Sequence, residues 1–211
     1  LHNVAHSFPT RRSSDLRVLL AGITAASDDA RWIPDAFVAA FGRVLESGLT
    51  QDPALAAEAL ILPAEQVLAE ELVGLGRIID PEAIHRARIN LRRHLAERLR
   101  QPFETVWAAL APVGPYAPDA AQAGRRALRN VCLGYLAEIE TSALRATVLP
   151  RLLAQLEHGG NMTDVIAALG TLANLDLPER ETALAAFYAR WNGFRPARIL
   201  PRISPKWSAK P

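Results

Sequence analysis

Proline set just ahead of an alanine- and leucine-rich stretch recurs along this chain, and that pairing limits the fold more than any other feature. The strings "QDPALAAEAL" and "IIDPEAIHRARINLRRHLAERL" place Asp52 before Pro53 and Asp80 before Pro81. Proline costs nothing at the first helical position, because the N–H it lacks has no partner inside the helix there. An aspartate just ahead accepts from the next orphan N–H groups, and Glu82 then sits by the positive end of the helix dipole. "WIPDAFVAAFGRVLESG", "ILPAEQVLAEELVG" and "DLPERETALAAFYARW" read as opening the same way at Pro34, Pro63 and Pro178. Gly48, Gly74, Gly159 and Gly160 read as helix ends. The pattern predicts about nine helices joined by short turns and no strand alternation of useful length, an all-α chain.

Composition agrees with helices packed on helices. Half of the 211 residues are apolar and only 6% are aromatic, while Ala, Leu, Glu and Arg dominate. The length suits one good-sized domain or part of a larger protein. Apolar runs such as "VIAALG" fall far short of the ~20 residues that cross a bilayer, so no membrane partner is expected. Cys132 is the single cysteine. It lies within a helical pattern and reads as a small buried side chain rather than a reactive thiol, and a reducing compartment fits. The net charge of +2 is unevenly placed. Residues 1–16 are net +1 and residues 194–211 carry five bases and no acid, which leaves the body, 17–193, at −4. Such a body gives no argument for nucleic acid or an anionic lipid surface.

Two helices show how the packing is expected to run. From Ile84, the residues Leu91, Leu95 and Leu99 fall in a stripe about 80° wide, while Ile89 lies apart among arginines. A main stripe plus a second apolar spot is what a helix needs to touch neighbours on two sides, as in stacked helical hairpins. In "RRALRNVCLGYLAEIE", Leu128, Val131, Cys132, Tyr135 and Ile139 form a stripe about 100° wide, which marks a core helix. No repeat of fixed period is visible, which leaves an irregular superhelix of helix pairs open.

Chemistry-bearing motifs are scarce. The histidines are His2, His6, His85, His94 and His158; His85 and His94 point roughly 180° apart on one helix and cannot share an ion. There is no His-Glu-x-x-His, no phosphate loop after a strand and no Gly-x-Ser-x-Gly elbow, so neither catalytic nor metal residues are assigned. Arg86, Arg93 and Arg100 lie opposite the leucine stripe without interleaved aromatics, a solvated face rather than a nucleic-acid patch. Arg88 is different, because it falls inside the stripe and must snorkel, pair with a carboxylate or face a cavity. "GGNMTDVIAALG" reads as a helix end at Gly159 and Gly160, then an N-cap at Asn161 or Thr163 with Asp164 in the first turn. Arg88, Asn161 and Asp164 are the candidates for groups near a cavity wall, with capping as the alternative role for the last two.

Four strings in order, "DPALAAEALILPAEQVLAEE" (52–71), "IIDPEAIHRARINLRRHLAERL" (78–99), "RRALRNVCLGYLAEIE" (125–140) and "NMTDVIAALGTLANL" (161–175), resemble the C-terminal helical domain of bacterial aminopeptidase N, the zinc alanyl aminopeptidase family. The resemblance covers about residues 17–193. It implies an irregular armadillo- or HEAT-like superhelix of antiparallel helix pairs that closes over a catalytic domain and helps enclose the substrate cavity. It further implies a cytoplasmic enzyme that releases N-terminal residues from peptides. The family's zinc is held by the two histidines of His-Glu-x-x-His and a downstream glutamate, its substrate amine by Gly-x-Met-Glu-Asn, and its oxyanion by a tyrosine. None of these motifs matches a position here, so this piece is expected to bind no zinc and to be inactive alone.

The flanks read differently. "LHNVAHSFPTRRSSDL" (1–16) resembles the translation of a sequencing-adapter read, and is expected to be non-native and disordered. "FRPARILPRISPKWSAKP" (194–211) carries every lysine of the chain and prolines at 196, 201, 205 and 211; it is expected to be an out-of-frame, disordered tail. The superhelix is thus expected to be incomplete at both ends. The competing reading is a free-standing helical-repeat module that binds a protein partner on its concave face, which needs no active site.

Overall fold

A computed structural model describes residues 9–25, 30–139 and 142–192. Among these the chain forms ten α-helices, one 3-10 turn (Ala30–Trp32) and no strand: α1 (Pro9–Ala25), α2 (Asp35–Thr50), α3 (Pro53–Ala59), α4 (Glu65–Gly74), α5 (Pro81–Arg98), α6 (Arg100–Ala109), α7 (Ala120–Leu136), α8 (Ser142–His158), α9 (Met162–Ala173) and α10 (Glu179–Trp191). The all-α class and the short connections follow the pattern read from the sequence. Residues 1–8 and 193–211, and with them the whole of the basic tail, lie outside the described residues. Residues 9–16, expected to be disordered, instead form the first turns of α1. Asp15 is buried there and Leu16 packs on the core.

The aspartate caps form as the local chemistry requires. Asp52 Oδ1 accepts from the N–H groups of Ala54 at 2.9 Å and Leu55 at 3.0 Å. Asp80 Oδ1 accepts from Ala83 at 3.1 Å. Three other prolines depart from the expected first helical position. Pro34 and Pro178 are the caps of α2 and α10. Pro63 is buried in the connection before α4, where its carbonyl is taken by Arg88.

Two glycines decide local geometry. Gly48 does not end α2 but lies inside it, because a Cβ there would stand 2.6 Å from both Ala56 Cβ and Leu128 Cδ2. Only a glycine lets α2, α3 and α7 approach so closely. The reversal after α4 is made by Gly76 at φ +67°, not by Gly74. Gly76 N–H donates to the Val73 carbonyl and Arg77 N–H to the Leu72 carbonyl, both at 2.9 Å, closing the helix through a left-handed residue.

Packing centres on α7, which touches α3, α5, α6, α8 and α9; α9 in turn joins α8 and α10. The two predicted stripes are the core faces. Ile84, Leu91, Leu95 and Leu99 are buried, as are Leu128, Cys132, Tyr135 and Ile139, with Val131 half-buried. Tyr135 is the hub. Its ring stacks on Phe103 at 4.9 Å and meets Phe41 edge-on at 5.5 Å, and its hydroxyl donates to the Leu60 carbonyl at 2.8 Å. Arg92 closes the site from outside, its guanidinium 4.9 Å from the Tyr135 ring and its Nε 2.7 Å from Glu138. Each aromatic pair adds about 0.5–1.5 kcal/mol beyond the area it buries.

Candidate functional site

The other face of α7 meets α6, α8 and the start of α9 around an open groove of about 320 Å³, the larger of two concavities described in the fold. Helical spacing explains who faces it. Arg129 and Asn130 sit on the flank of α7 away from Leu128, Cys132 and Tyr135. Arg151 and Gln155 are four apart on α8, so they share a face, and Trp107 comes from the last turns of α6.

A chain of amides braces the floor. Asn161 caps α9 by accepting from Asp164 N–H at 3.0 Å, and its Nδ2 donates to Asp164 Oδ2 at 2.8 Å. Asn130 Nδ2 donates to Asp164 Oδ1 at 2.9 Å. Gln155 Nε2 donates to Asn130 Oδ1 at 2.8 Å and to the Asp164 carbonyl at 2.9 Å. Asp164 is only 7% exposed, yet both carboxylate oxygens are met by neutral donors, so no buried acceptor is left unsatisfied there.

The wall is cationic and aromatic. The guanidinium of Arg129 lies 4.5 Å and that of Arg151 4.3 Å from the Trp107 ring centroid. Arg151 is paired with Glu104 at 2.7 Å. Arg129 donates Nη1 to the uncharged amide oxygen of Gln155 at 3.2 Å. Burial, followed by repulsion from Arg151, pulls the Arg129 guanidinium below its ordinary value against the pull of Asp164, and it stays protonated. Two covered donors, Trp107 Nε1 and Arg129 Nε, have no acceptor. Leaving such a donor unmet costs about 1–3 kcal/mol each. The arrangement suits recognition rather than bond-making, because no nucleophile is paired with a base in it.

Of the three residues singled out by sequence, Asp164 lines the groove and Asn161 braces it from the α9 cap. Arg88 is not among its lining residues. It resolves its place in the leucine stripe by donating Nε to the Pro63 carbonyl at 2.9 Å, and burial, then the neighbouring Arg92, lowers its pKa. The sequence does not single out Trp107, Arg129, Arg151 or Gln155. Their only sequence signal is that Arg129 and Asn130 fall off the apolar stripe of α7, which says nothing about what α6 and α8 bring opposite.

Elsewhere the titratable groups serve the fold. Burial pushes the Cys132 thiol up to about 12, so it is inert as the helical pattern predicted. His85 Nδ1 meets Glu65 at 2.8 Å on the surface, and Arg98 meets Asp35 at 2.9 Å. No three His, Cys, Asp or Glu side chains among the described residues gather to hold a metal ion, and no helix there is long and apolar enough to cross a membrane.

Comparison with known proteins places this geometry. Residues 12–195 match a family described as a domain of unknown function (DUF3458_C) of ARM repeats. Aminopeptidase N of Caulobacter vibrioides is 35% identical over 170 residues, which is 81% of this chain and 18% of that protein. Aminopeptidase N of Escherichia coli is 37% identical over 141 residues, 67% of this chain and 15% of that protein. This chain therefore spans less than a fifth of the curated relatives it matches. The crystal structure of Legionella pneumophila aminopeptidase A in complex with aspartic acid shares the fold at a TM-score of 0.70 and 23% identity, over 89% of this chain and 22% of that one. Helices stacked about α7, with residues 12–195 matched by the family model, make this chain a member of the DUF3458_C family of ARM repeats.

Proposed function

We propose that this chain is the helical domain of a zinc-dependent aminopeptidase N, closing over a catalytic domain and helping to enclose a cytoplasmic peptide substrate. The observation that carries this reading is the 35% identity to an aminopeptidase N over 81% of the chain. Zinc belongs to the catalytic part in this reading, since the His-Glu-x-x-His that holds it in the family matches no position of this sequence. What this chain supplies is a wall. Asn161 and Asp164 shape the groove side of that wall, and Arg88 acts as a positioning residue that pins the α3–α4 connection through Pro63. Val73, Leu75 and Ile78, exposed around the turn after α4, support docking to a further domain, Ile78 being 92% exposed. The free-standing binding module is not favoured, because it leaves the likeness to aminopeptidase N without a reason.

The test is the full-length polypeptide that carries this domain. It should release N-terminal alanine from short peptides, and this chain alone should not; a full-length product without aminopeptidase activity overturns the proposal. Within that enzyme, Arg88→Ala should change the melting temperature or KM more than kcat. A fall confined to kcat would contradict the positioning role.

A further inference from the structure

We propose that the groove between α6, α7, α8 and the start of α9 is a binding site for a carboxylate group, received by Arg129 and Arg151 beside the indole of Trp107. The site goes beyond the enclosing role above and needs only the groove itself. Two guanidinium groups within 4.5 Å of one ring centroid repel each other, and only Arg151 has a carboxylate partner, Glu104. The hydrogen bond of Arg129 goes to a neutral amide, and the nearest acid, Asp164, already has both oxygens engaged by Asn130 and Asn161. What the groove lacks is therefore an anion whose oxygens are free to face Arg129 and Arg151, since those of Asp164 are taken.

The class of anion follows from the neighbours. A guanidinium fork suits both carboxylate and phosphate. Asp164 in the floor and Glu104 behind Arg151 penalise a dianion, because like charges at short range raise the energy of the second ionisation. A monoanionic carboxylate suffers less. At about 320 Å³ the groove is at the lower end of small-molecule sites, with room for the carboxylate and one or two attached residues; Pro112, Ala154 and the face of Trp107 offer apolar surface to them. A peptide's C-terminus and an acidic side chain both present this group.

The experiment uses this chain as it stands, labelled with ¹⁵N, with the Trp107 indole N–H resonance identified by its loss in Trp107→Phe. It is titrated with N-acetyl-dialanine, with its C-terminal amide, with N-acetyl-aspartic acid bearing an amide at its α-carbonyl, and with inorganic phosphate. A saturable shift of the indole resonance is expected with a carboxylate ligand, with the amide and phosphate about tenfold weaker or more. Which of the two carboxylate ligands acts identifies the source. Arg129→Gln, checked for unchanged helicity, should weaken binding by a similar factor. Equal shifts from acid and amide, equal binding of phosphate, or no shift up to about 50 mM ligand would overturn the proposal without recourse to any variant. Because no hydrolysis is read, failure here leaves the aminopeptidase reading intact, and an inactive full-length enzyme leaves this site intact.

Discussion

Tyr135 and Arg129 stand on one helix, six residues apart, and meet opposite fates. Around Tyr135 the ring is enclosed by Phe41 and Phe103, the hydroxyl has an acceptor in the Leu60 carbonyl, and Leu128 and Cys132 complete a dry face. Around Arg129 the same helix meets an open groove, a charged network and donors that lack acceptors. The difference teaches where this fold holds together and where it has capacity to bind. A satisfied, enclosed face contributes stability, whereas an open face with unmet hydrogen-bonding groups leaves local energy for a partner to recover.

Breaking the dry side should cost most. Tyr135→Ala empties the hub and is expected to lower the unfolding free energy by about 3–5 kcal/mol in a urea melt. A loss no larger than that of a surface substitution would show that the hub is misplaced. The same face makes Cys132 unreactive. Its thiol, raised from an ordinary 9.0 to about 12, should be alkylated at pH 8 about a thousandfold more slowly in the folded chain than in urea, because the thiolate is the attacking species. The sign for stability follows from linkage. A raised pKa favours the folded state fully below the unfolded value, and that contribution is lost as pH rises through the folded one.

Smaller effects sharpen the boundary between the two faces. Gly48→Ala drives a methyl into Ala56 and Leu128 at the α2–α3–α7 contact, and should destabilise by about 1–3 kcal/mol through overpacking. Asp164→Ala removes the acceptor shared by Asn130 and Asn161 and should cost about 1–2 kcal/mol, measured by the same melt. It should leave Cys132 as protected from alkylation as before. Exposure of Cys132 in that variant would mean that the groove and the core melt together rather than separately.

Much of the architecture is legible from local spacing. Asp52 and Asp80 cap helices because an aspartate before a proline can reach the first free N–H groups within its own turn. Ile84, Leu91, Leu95 and Leu99 face inward because 3.6-residue periodicity places them on one side. Pro34, Pro63 and Pro178 are harder, since a proline suits the cap, the first helical position and an extended connection alike. Gly48 misleads for a related reason: glycine ends helices by conformation but also sits within them where another backbone or side chain must come close, and only the neighbour reveals which. Arg88 had three outlets open to it in the sequence. The buried Pro63 carbonyl, twenty-five residues away, settled the matter.

The sequence by itself determined that this chain is helical, where α3 and α5 start, and which stripes of α5 and α7 are buried. All of these rest on interactions within a turn or two of one helix. Tertiary structure alone decided that Tyr135 would sit between two phenylalanines and that Trp107, Arg129, Arg151 and Asp164, from four different helices, would share a groove. A side chain's partners across a fold depend on how helices cross, and that is fixed by the fit of many surfaces at once rather than by any spacing along the chain.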